Sequence, residues 1–177
     1  MRGRRTHFAA ALVLLVIPAV GRAADVTGEK LFAQTPATRN ATAMHDREAF
    51  QKGAFQGATA DQAQYHVIYQ LDSDDPKLIQ QTLRNIGNAL EDSRLKGKLT
   101  VELIAFGGGT TLYRKDQPYE AQLTALKQKG VILAQCLNTL KERKMSKDEL
   151  LPLISYVPSG NGELIIRQAQ GWSLVHP

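Results

Sequence analysis

Short apolar segments alternate with amphipathic segments along the chain from Tyr65 to its end. The apolar segments have the composition of β-strands and lie at residues 65–71, 99–106, 131–135, 153–157 and 172–175. Segments with helical spacing separate them and lie at residues 76–90, 118–129, 137–143 and 161–170. Strands that alternate with helices form parallel sheets, because each return crossing passes over a face of the sheet. The pattern predicts a compact three-layer α/β sandwich, in which helices cover both faces of a mostly parallel five-stranded sheet.

Signals for helix ends support this order. The aspartates of residues 72–75 precede Pro76, and an aspartate cap followed by proline at the first helical position is typical of a helix start. Apolar residues then recur every three or four positions, at Ile79, Leu83, Ile86 and Leu90. Ser146 and Glu149 have the spacing of a capping box. These aspartates are therefore interpreted as caps, although their spacing superficially resembles a metal-binding loop; no metal site is predicted.

Residues 1–23 have the organisation of a secretory signal peptide. Three arginines precede an apolar stretch over residues 8–20, and small residues before Ala24 favour cleavage after Ala23. This stretch is shorter than the roughly 20 residues that span a bilayer, so we expect no stable membrane anchor. Arg4 and Arg5 leave Sec and twin-arginine export open. The sequence thus predicts a periplasmic or secreted protein.

Residues 24–62 lack sustained periodicity. They are interpreted as a low-complexity N-terminal arm or linker with at most a short helical turn near residues 47–50, and an arm that packs weakly over the domain is equally compatible. The domain itself is predicted over residues 63–177.

The net charge of +5 comes mainly from the leader. Four of the 22 basic residues lie in residues 1–23, which leaves 18 basic residues against 17 acidic ones. Nucleic-acid binding requires a clustered basic face, so we expect no nucleic-acid partner. The chain has one cysteine, which excludes an internal disulfide and a CxxC metal site.

That cysteine, Cys136, falls where the third predicted strand ends and the next helix begins. Ligands of open α/β sheets bind at the carboxyl ends of strands, and a helix N-terminus favours the thiolate, which is the nucleophilic form. The alternative is an inert buried cysteine, since free cysteine is among the most buried residue types. Position alone does not decide between the two.

Other candidates carry weaker signals. Gly107, Gly108 and Gly109 follow a strand and could hold an anion with backbone N–H groups, although a tight turn is the simpler interpretation. His66 could face a site or the core, and the structural role is favoured. His176 is expected to face solvent.

Around Cys136 the sequence resembles the cysteine motif of the DsrE/DsrF-like family. The matching stretch is GVILAQCLNTL at residues 130–140. Further matches are VPSG at 157–160, Glu163-Leu164, Gln168, Gly171-Trp172, Pro177, and the segments 83–88 and 101–106. The resemblance covers residues 65–177 and is closest to the exported, single-domain branch. One departure is Phe106, where exported relatives often carry histidine.

The resemblance implies a fold, an assembly and a chemistry. Family members form a DsrE-like α/β sandwich and commonly assemble as trimers or hexamers. Cytoplasmic members accept sulfane sulfur as a persulfide on the cysteine that matches Cys136, pass it to a partner thiol, and need no dissociable cofactor.

Two functions follow. The first is an exported sulfur carrier or sulfurtransferase with sulfur donor and acceptor proteins as partners. Cys136 would be the nucleophile, Asn138 and Thr139 would supply hydrogen bonds, and Gly107, Gly108 and Gly109 would form one wall. The alternative is a non-catalytic oligomeric or small-ligand-binding module with a structural cysteine. A thiol-disulfide oxidoreductase is less favoured, because the chain lacks a resolving cysteine.

Overall fold

The computed structural model describes residues 36–177. The predicted signal peptide and the first part of the predicted arm lie outside these residues. The chain divides after His45 into two units. Helix α1 (Pro36–Gln51) crosses this boundary, and every strand of the described chain lies in the second unit.

Helix α1 has 16 residues, so the prediction of only a short turn near residues 47–50 is wrong. The helix is rich in alanine and also holds arginine, methionine, glutamate and glutamine, all of which have high helix propensity. It lacks an apolar stripe, and both Met44 and Phe50 are exposed. Apolar periodicity reports burial, and it therefore fails to detect a helix that is mostly exposed.

Five parallel strands form one sheet with the order β4-β3-β2-β1-β5 in the described chain. The strands are β1 (Tyr65–Leu71), β2 (Leu99–Ala105), β3 (Ile132–Cys136), β4 (Ser155–Val157) and β5 (Ser173–Val175). The helices between them are α2 (Pro76–Glu91), α3 (Glu120–Gln128), α4 (Leu137–Arg143) and α5 (Gly160–Ala169). The predicted α/β fold class is confirmed, and the ends of these elements differ from the predicted ones by at most two residues.

The strand order determines which face each helix covers. From β1 to β4 the strands step in one direction, and right-handed crossovers place α2, α3 and α4 on one face. The connection from β4 to β5 returns across the sheet, so α5 covers the other face. The buried residues agree with this arrangement, because Val67, Tyr69 and Leu71 join the large core and Ile68 joins the small cluster with Leu164 of α5.

A buried ion pair holds α5 on its face of the sheet. Glu102 of β2 has a side chain that is 1% exposed, and its Oε2 lies 2.7 Å from Nε of Arg167. Glu163 also contacts Arg167, at 2.9 Å. Burial raises the pKa of Glu102, the charge of Arg167 opposes this, and the charge of Glu163 adds to it, so the pKa lies above that of an ordinary glutamate. Removing Arg167 would leave a buried uncompensated carboxylate.

His66 belongs to the same side of the molecule as this ion pair. Its ring stacks on Trp172 with centroids 5.1 Å apart, and Arg167 lies over the indole at 4.1 Å. In the register of the sheet, His66 lies five residues before the end of β1, or about 16 Å along the strand direction. It therefore lies far from the level of Cys136 and outside the crevice around that residue.

The three consecutive glycines do not form a tight turn, which corrects the simpler of the two predictions for them. They begin a 3₁₀ helix, Gly107–Tyr113. The buried Tyr113 hydroxyl donates a hydrogen bond to the Leu103 carbonyl at 2.9 Å and anchors this helix to β2. A Cβ atom on Gly108 would lie 2.8 Å from the Asp72 carbonyl oxygen. Glycine is therefore required here because the helix passes directly against the end of β1.

No helix within residues 36–177 is long and apolar enough to cross a membrane.

Candidate functional site

A crevice at the carboxyl edge of the sheet forms between β3 and β4. These strands are neighbours, but the helices that follow them lie on opposite faces: α4 on the large-core side and α5 on the other. Loops that leave adjacent strands in opposite directions open a gap, and such gaps are where open α/β folds bind ligands. The first residues of α4 and α5 both border this gap.

Cys136 lies at the base of the crevice. It is the last residue of β3 and the N-cap of α4, and it is only 5% exposed. Asn138, Thr139 and Gly160 border the same cavity as its sulfur. Burial raises the pKa of the Cys136 thiol, but hydrogen bonding to the Thr139 hydroxyl and to the backbone N–H groups of Thr139, Gly160 and Asn138 lowers it by more, so the pKa lies below that of an ordinary cysteine. The site thus stabilises the thiolate more than the surroundings of an ordinary cysteine do.

The Thr139 hydroxyl connects the sulfur to the neighbouring strand. Its oxygen accepts a hydrogen bond from the backbone N–H of Gly107 at 3.1 Å. The oxygen accepts this bond through a lone pair, so the hydroxyl proton remains available to the Cys136 sulfur, and hydrogen bonding to this hydroxyl lowers the pKa of the thiol. Gly107 therefore contributes to the site through Thr139.

A cavity of about 190 Å³ opens above the sulfur. It is lined by Phe106, Gly107, Cys136, Asn138, Thr139, Glu142, Ser159, Gly160 and Asn161. At about 30 Å³ per water molecule in the liquid, this volume corresponds to about six waters. The cavity has room for a sulfane sulfur atom and a small donor molecule.

The structure brings together four of the six predicted site residues, namely Cys136, Asn138, Thr139 and Gly107. Gly108 and Gly109 instead pack against the backbone of residues 71–74. The residues of α5 were missed as site residues, as were Phe106 and Glu142. One sequence signal pointed to the residues of α5: a second strand ends at residue 157 and is followed by Ser-Gly at a helix start. This signal could be used only with the strand order, which places that strand beside β3.

Gly160 brings its N–H to the sulfur because it has no side chain. A Cβ atom at this position would lie 2.6 Å from Cδ1 of Phe106. Ser159 caps the same helix by accepting a hydrogen bond from the Gly162 N–H at 3.2 Å. The close approach of α5 to Cys136 thus depends on contact between the Gly160 backbone and the Phe106 ring.

We expect Gly160→Ala to slow alkylation of Cys136 by iodoacetamide at neutral pH by about threefold to tenfold, because the Phe106 ring and the N–H donor must move apart. Overpacking of this kind also destabilises the fold by about 1–3 kcal/mol. Gly162→Ala is the matched control, since its Cβ would make only an ordinary contact of 3.4 Å with Ser159. Equal alkylation rates for the two variants would contradict the role given to Gly160.

Thr139→Val tests the electrostatic contribution of the hydroxyl. Valine keeps the shape but donates no hydrogen bond, so the thiolate loses stabilisation and the pKa of the thiol rises. The midpoint of the pH–alkylation profile should therefore move to higher pH, with a rate about tenfold lower at neutral pH. At pH values above both midpoints the two rates should converge. Thr124→Val on α3 is the control, and a Thr139→Val profile that coincides with it would refute the assignment.

The remaining polar candidates lie elsewhere. Asp75 is the N-cap of α2 and accepts a hydrogen bond from the Lys77 N–H at 2.9 Å, as predicted. His176 is 54% exposed at its side chain and contacts Asp72 at 3.2 Å. Ser146 and Glu149 form the predicted capping box, here on a short 3₁₀ helix. Within the described residues, no group of three or more His, Cys, Asp or Glu side chains could hold a metal ion.

Fold and site together define a class of open parallel α/β proteins with a single cysteine at the point where the crossovers change face. A model of the DsrE/DsrF-like family matches residues 71–177, and the chain belongs to that family, which has a sulfur-relay-related fold. The predicted resemblance is confirmed.

Solved structures agree with this assignment. A protein of unknown function from Methanobacterium thermoautotrophicum, MTH1491, is 31% identical, with a TM-score of 0.60 over 64% of this chain and 99% of that protein. The ychN protein from E. coli is 16% identical, with a TM-score of 0.51 over 64% of this chain and 99% of that protein, and shows the shared fold. No curated protein matches the chain.

Proposed function

We propose that this protein is an exported sulfur carrier, which accepts sulfane sulfur on Cys136 as a persulfide and passes it to a partner thiol. The observation that carries the proposal is the position of Cys136, which ends β3, caps α4 and lies on a cavity that Asn138, Thr139 and Gly160 also border. A cysteine that served only to fill the core would need no cavity beside its sulfur.

The transfer step needs no oxidant and no metal. The Cys136 thiolate attacks the outer sulfur of a donor persulfide, R–S–SH, and a new S–S bond forms as the donor S–S bond breaks. The leaving thiolate, RS⁻, takes the electron pair of the broken bond and is protonated by solvent. An acceptor thiolate then attacks the outer sulfur of the Cys136 persulfide and regenerates the Cys136 thiolate.

The site residues have distinct roles in this step. The Thr139 hydroxyl and the N–H groups of Asn138, Thr139 and Gly160 stabilise negative charge on sulfur, both before attack and after the carrier is discharged. Gly107 orients the Thr139 hydroxyl. Cys136 is the only residue assigned to covalent chemistry.

Export and assembly are part of the proposal. The basic and apolar pattern of residues 1–23 supports cleavage after Ala23 and a periplasmic or secreted location. Two isoleucines on α5, Ile165 and Ile166, are 68% and 52% exposed, and a homo-oligomer that packs on α5 would remove them from water. A trimer or hexamer is the assembly that family membership suggests.

The test is the intact mass of the mature protein after exposure to inorganic polysulfide. Sulfur carriage predicts a gain of whole sulfur atoms that a reductant removes. No gain, together with a thiol that reacts with iodoacetamide only after denaturation, would overturn the proposal and favour a structural cysteine in a binding module.

A further inference from the structure

Glu142 differs from the other residues around the thiol. Of the residues of the described chain that line the Cys136 cavity, it is the only Asp, Glu, Lys or Arg. It follows Thr139 by three positions on α4, so both side chains lie on one side of that helix. The carboxylate therefore lies about one helical turn beyond the hydroxyl that donates to the Cys136 sulfur.

The carboxylate is exposed and free to contact a ligand. No ion pair within residues 36–177 includes Glu142. Its neighbours Lys141 and Arg143 are not among the residues that line the cavity. The cavity is thus polarised, with backbone N–H groups at the base and a full negative charge on its exposed side.

The size of the cavity limits what it can hold. A volume of about 190 Å³ is below the 300–1,000 Å³ typical of sites for drug-sized ligands. It suits a donor of several non-hydrogen atoms, whereas a tripeptide thiol would have to remain largely outside.

We propose that Glu142 selects the sulfur donor by charge, so that the cavity favours a small persulfide carrying an ammonium group over an anionic donor. This inference rests on the proposed function. A persulfide of a small aminothiol has a neutral S–SH end, which is the form that the Cys136 thiolate attacks, and a cationic end. The S–SH end meets the Cys136 sulfur at the base, and the ammonium group matches Glu142.

Two methanethiosulfonates of similar size test the charge selection without any sulfur transfer. The 2-aminoethyl reagent is cationic and the 2-sulfonatoethyl reagent is anionic. With either one, the Cys136 thiolate forms a mixed disulfide and releases methanesulfinate. The ratio of the two rates cancels the thiolate fraction, so it reports the charge around the sulfur and is insensitive to a change in the pKa of the thiol.

In the parent protein we expect the ratio of cationic to anionic rates to exceed that of the same protein unfolded in urea. Glu142→Gln should lower the ratio by about tenfold, since it removes an attraction and a repulsion that each amount to about threefold at a partly exposed site. Glu120→Gln on α3 is the control and should leave the ratio unchanged. A ratio that is the same in the parent and in Glu142→Gln would overturn the proposal.

The matched persulfides then test the donor itself. Hydropersulfides generated from cystamine and from bis(2-sulfonatoethyl) disulfide by sulfide should load Cys136 at rates with the same dependence on Glu142. If neither loads the protein while the reagent ratio still falls in Glu142→Gln, sulfur carriage fails and charge selection at the thiol stands. If both load the parent at equal rates, sulfur carriage stands and selection by Glu142 is refuted.

Discussion

Cys136→Ser is expected to abolish sulfur uptake, with no detectable mass gain under conditions that fully load the parent. Serine retains the shape of the side chain, but its hydroxyl remains protonated at neutral pH even with four donors around it, and only the deprotonated group is an effective nucleophile. Because the chain has one cysteine, no second thiol can mask the loss. Intact-mass measurement before and after reduction checks the result.

The control for this variant is its stability. Serine can accept the hydrogen bonds that the sulfur accepts, so the thermal midpoint should change by only a few degrees, which corresponds to about 1 kcal/mol. A Cys136→Ser protein that still gains reductant-labile sulfur would exclude Cys136 as the carrier. A variant that loses uptake only because it unfolds would be recognised from its melting curve.

The alternation of strands and helices was predictable because the two leave different patterns in the sequence. Buried strands are short apolar runs, whereas half-buried helices have an apolar residue every three or four positions. The segment 137–143 shows this well, since its predicted ends coincide with those of α4. Helix α1 shows the limit of the method, because a helix without a buried stripe leaves no such period.

The sequence predicted only those site residues that lie close to Cys136 along the chain. Cys136, Asn138 and Thr139 are neighbours in sequence, and a strand end followed by a helix start predicted both the cysteine position and the helix N–H groups around it. Gly160 lies 24 positions away and reaches the sulfur because β3 and β4 are adjacent while their helices lie on opposite faces. No local pattern in the sequence encodes that strand order.

The glycine segment illustrates a third case, in which the residues were noticed and their physical role was misjudged. A run of three glycines suggests backbone freedom, and thus a turn or an anion cradle. In the structure the middle and last glycines are required by space, because the 3₁₀ helix passes against the backbone of residues 71–74, at and just after the end of β1. Sequence alone does not distinguish glycine chosen for conformation from glycine chosen for close approach.

Gly109→Ala should therefore be the most destabilising single methyl addition in this region. The new Cβ would overlap the Leu71 carbonyl oxygen and lie 2.6 Å from the carbonyl carbon. Leu71 cannot retreat easily, because it pairs with Ala105 in the sheet and its carbonyl accepts the Phe106 N–H at 3.1 Å. We expect a loss of about 3 kcal/mol or more in the free energy of unfolding, at the upper end of overpacking effects.

Urea unfolding measures this loss against Gly87→Ala, where a Cβ on helix α2 would meet no atom within 4 Å. That control should gain up to about 1 kcal/mol from helix propensity. Displacement of the 3₁₀ helix would also move the Gly107 N–H away from Thr139, so folded Gly109→Ala should alkylate more slowly at neutral pH than the parent. Equal unfolding midpoints for the two alanine variants would show that the 3₁₀ helix can move to accept a Cβ atom without loss of stability. The claim that this helix holds the Gly107 N–H rigidly against Thr139 would then be refuted.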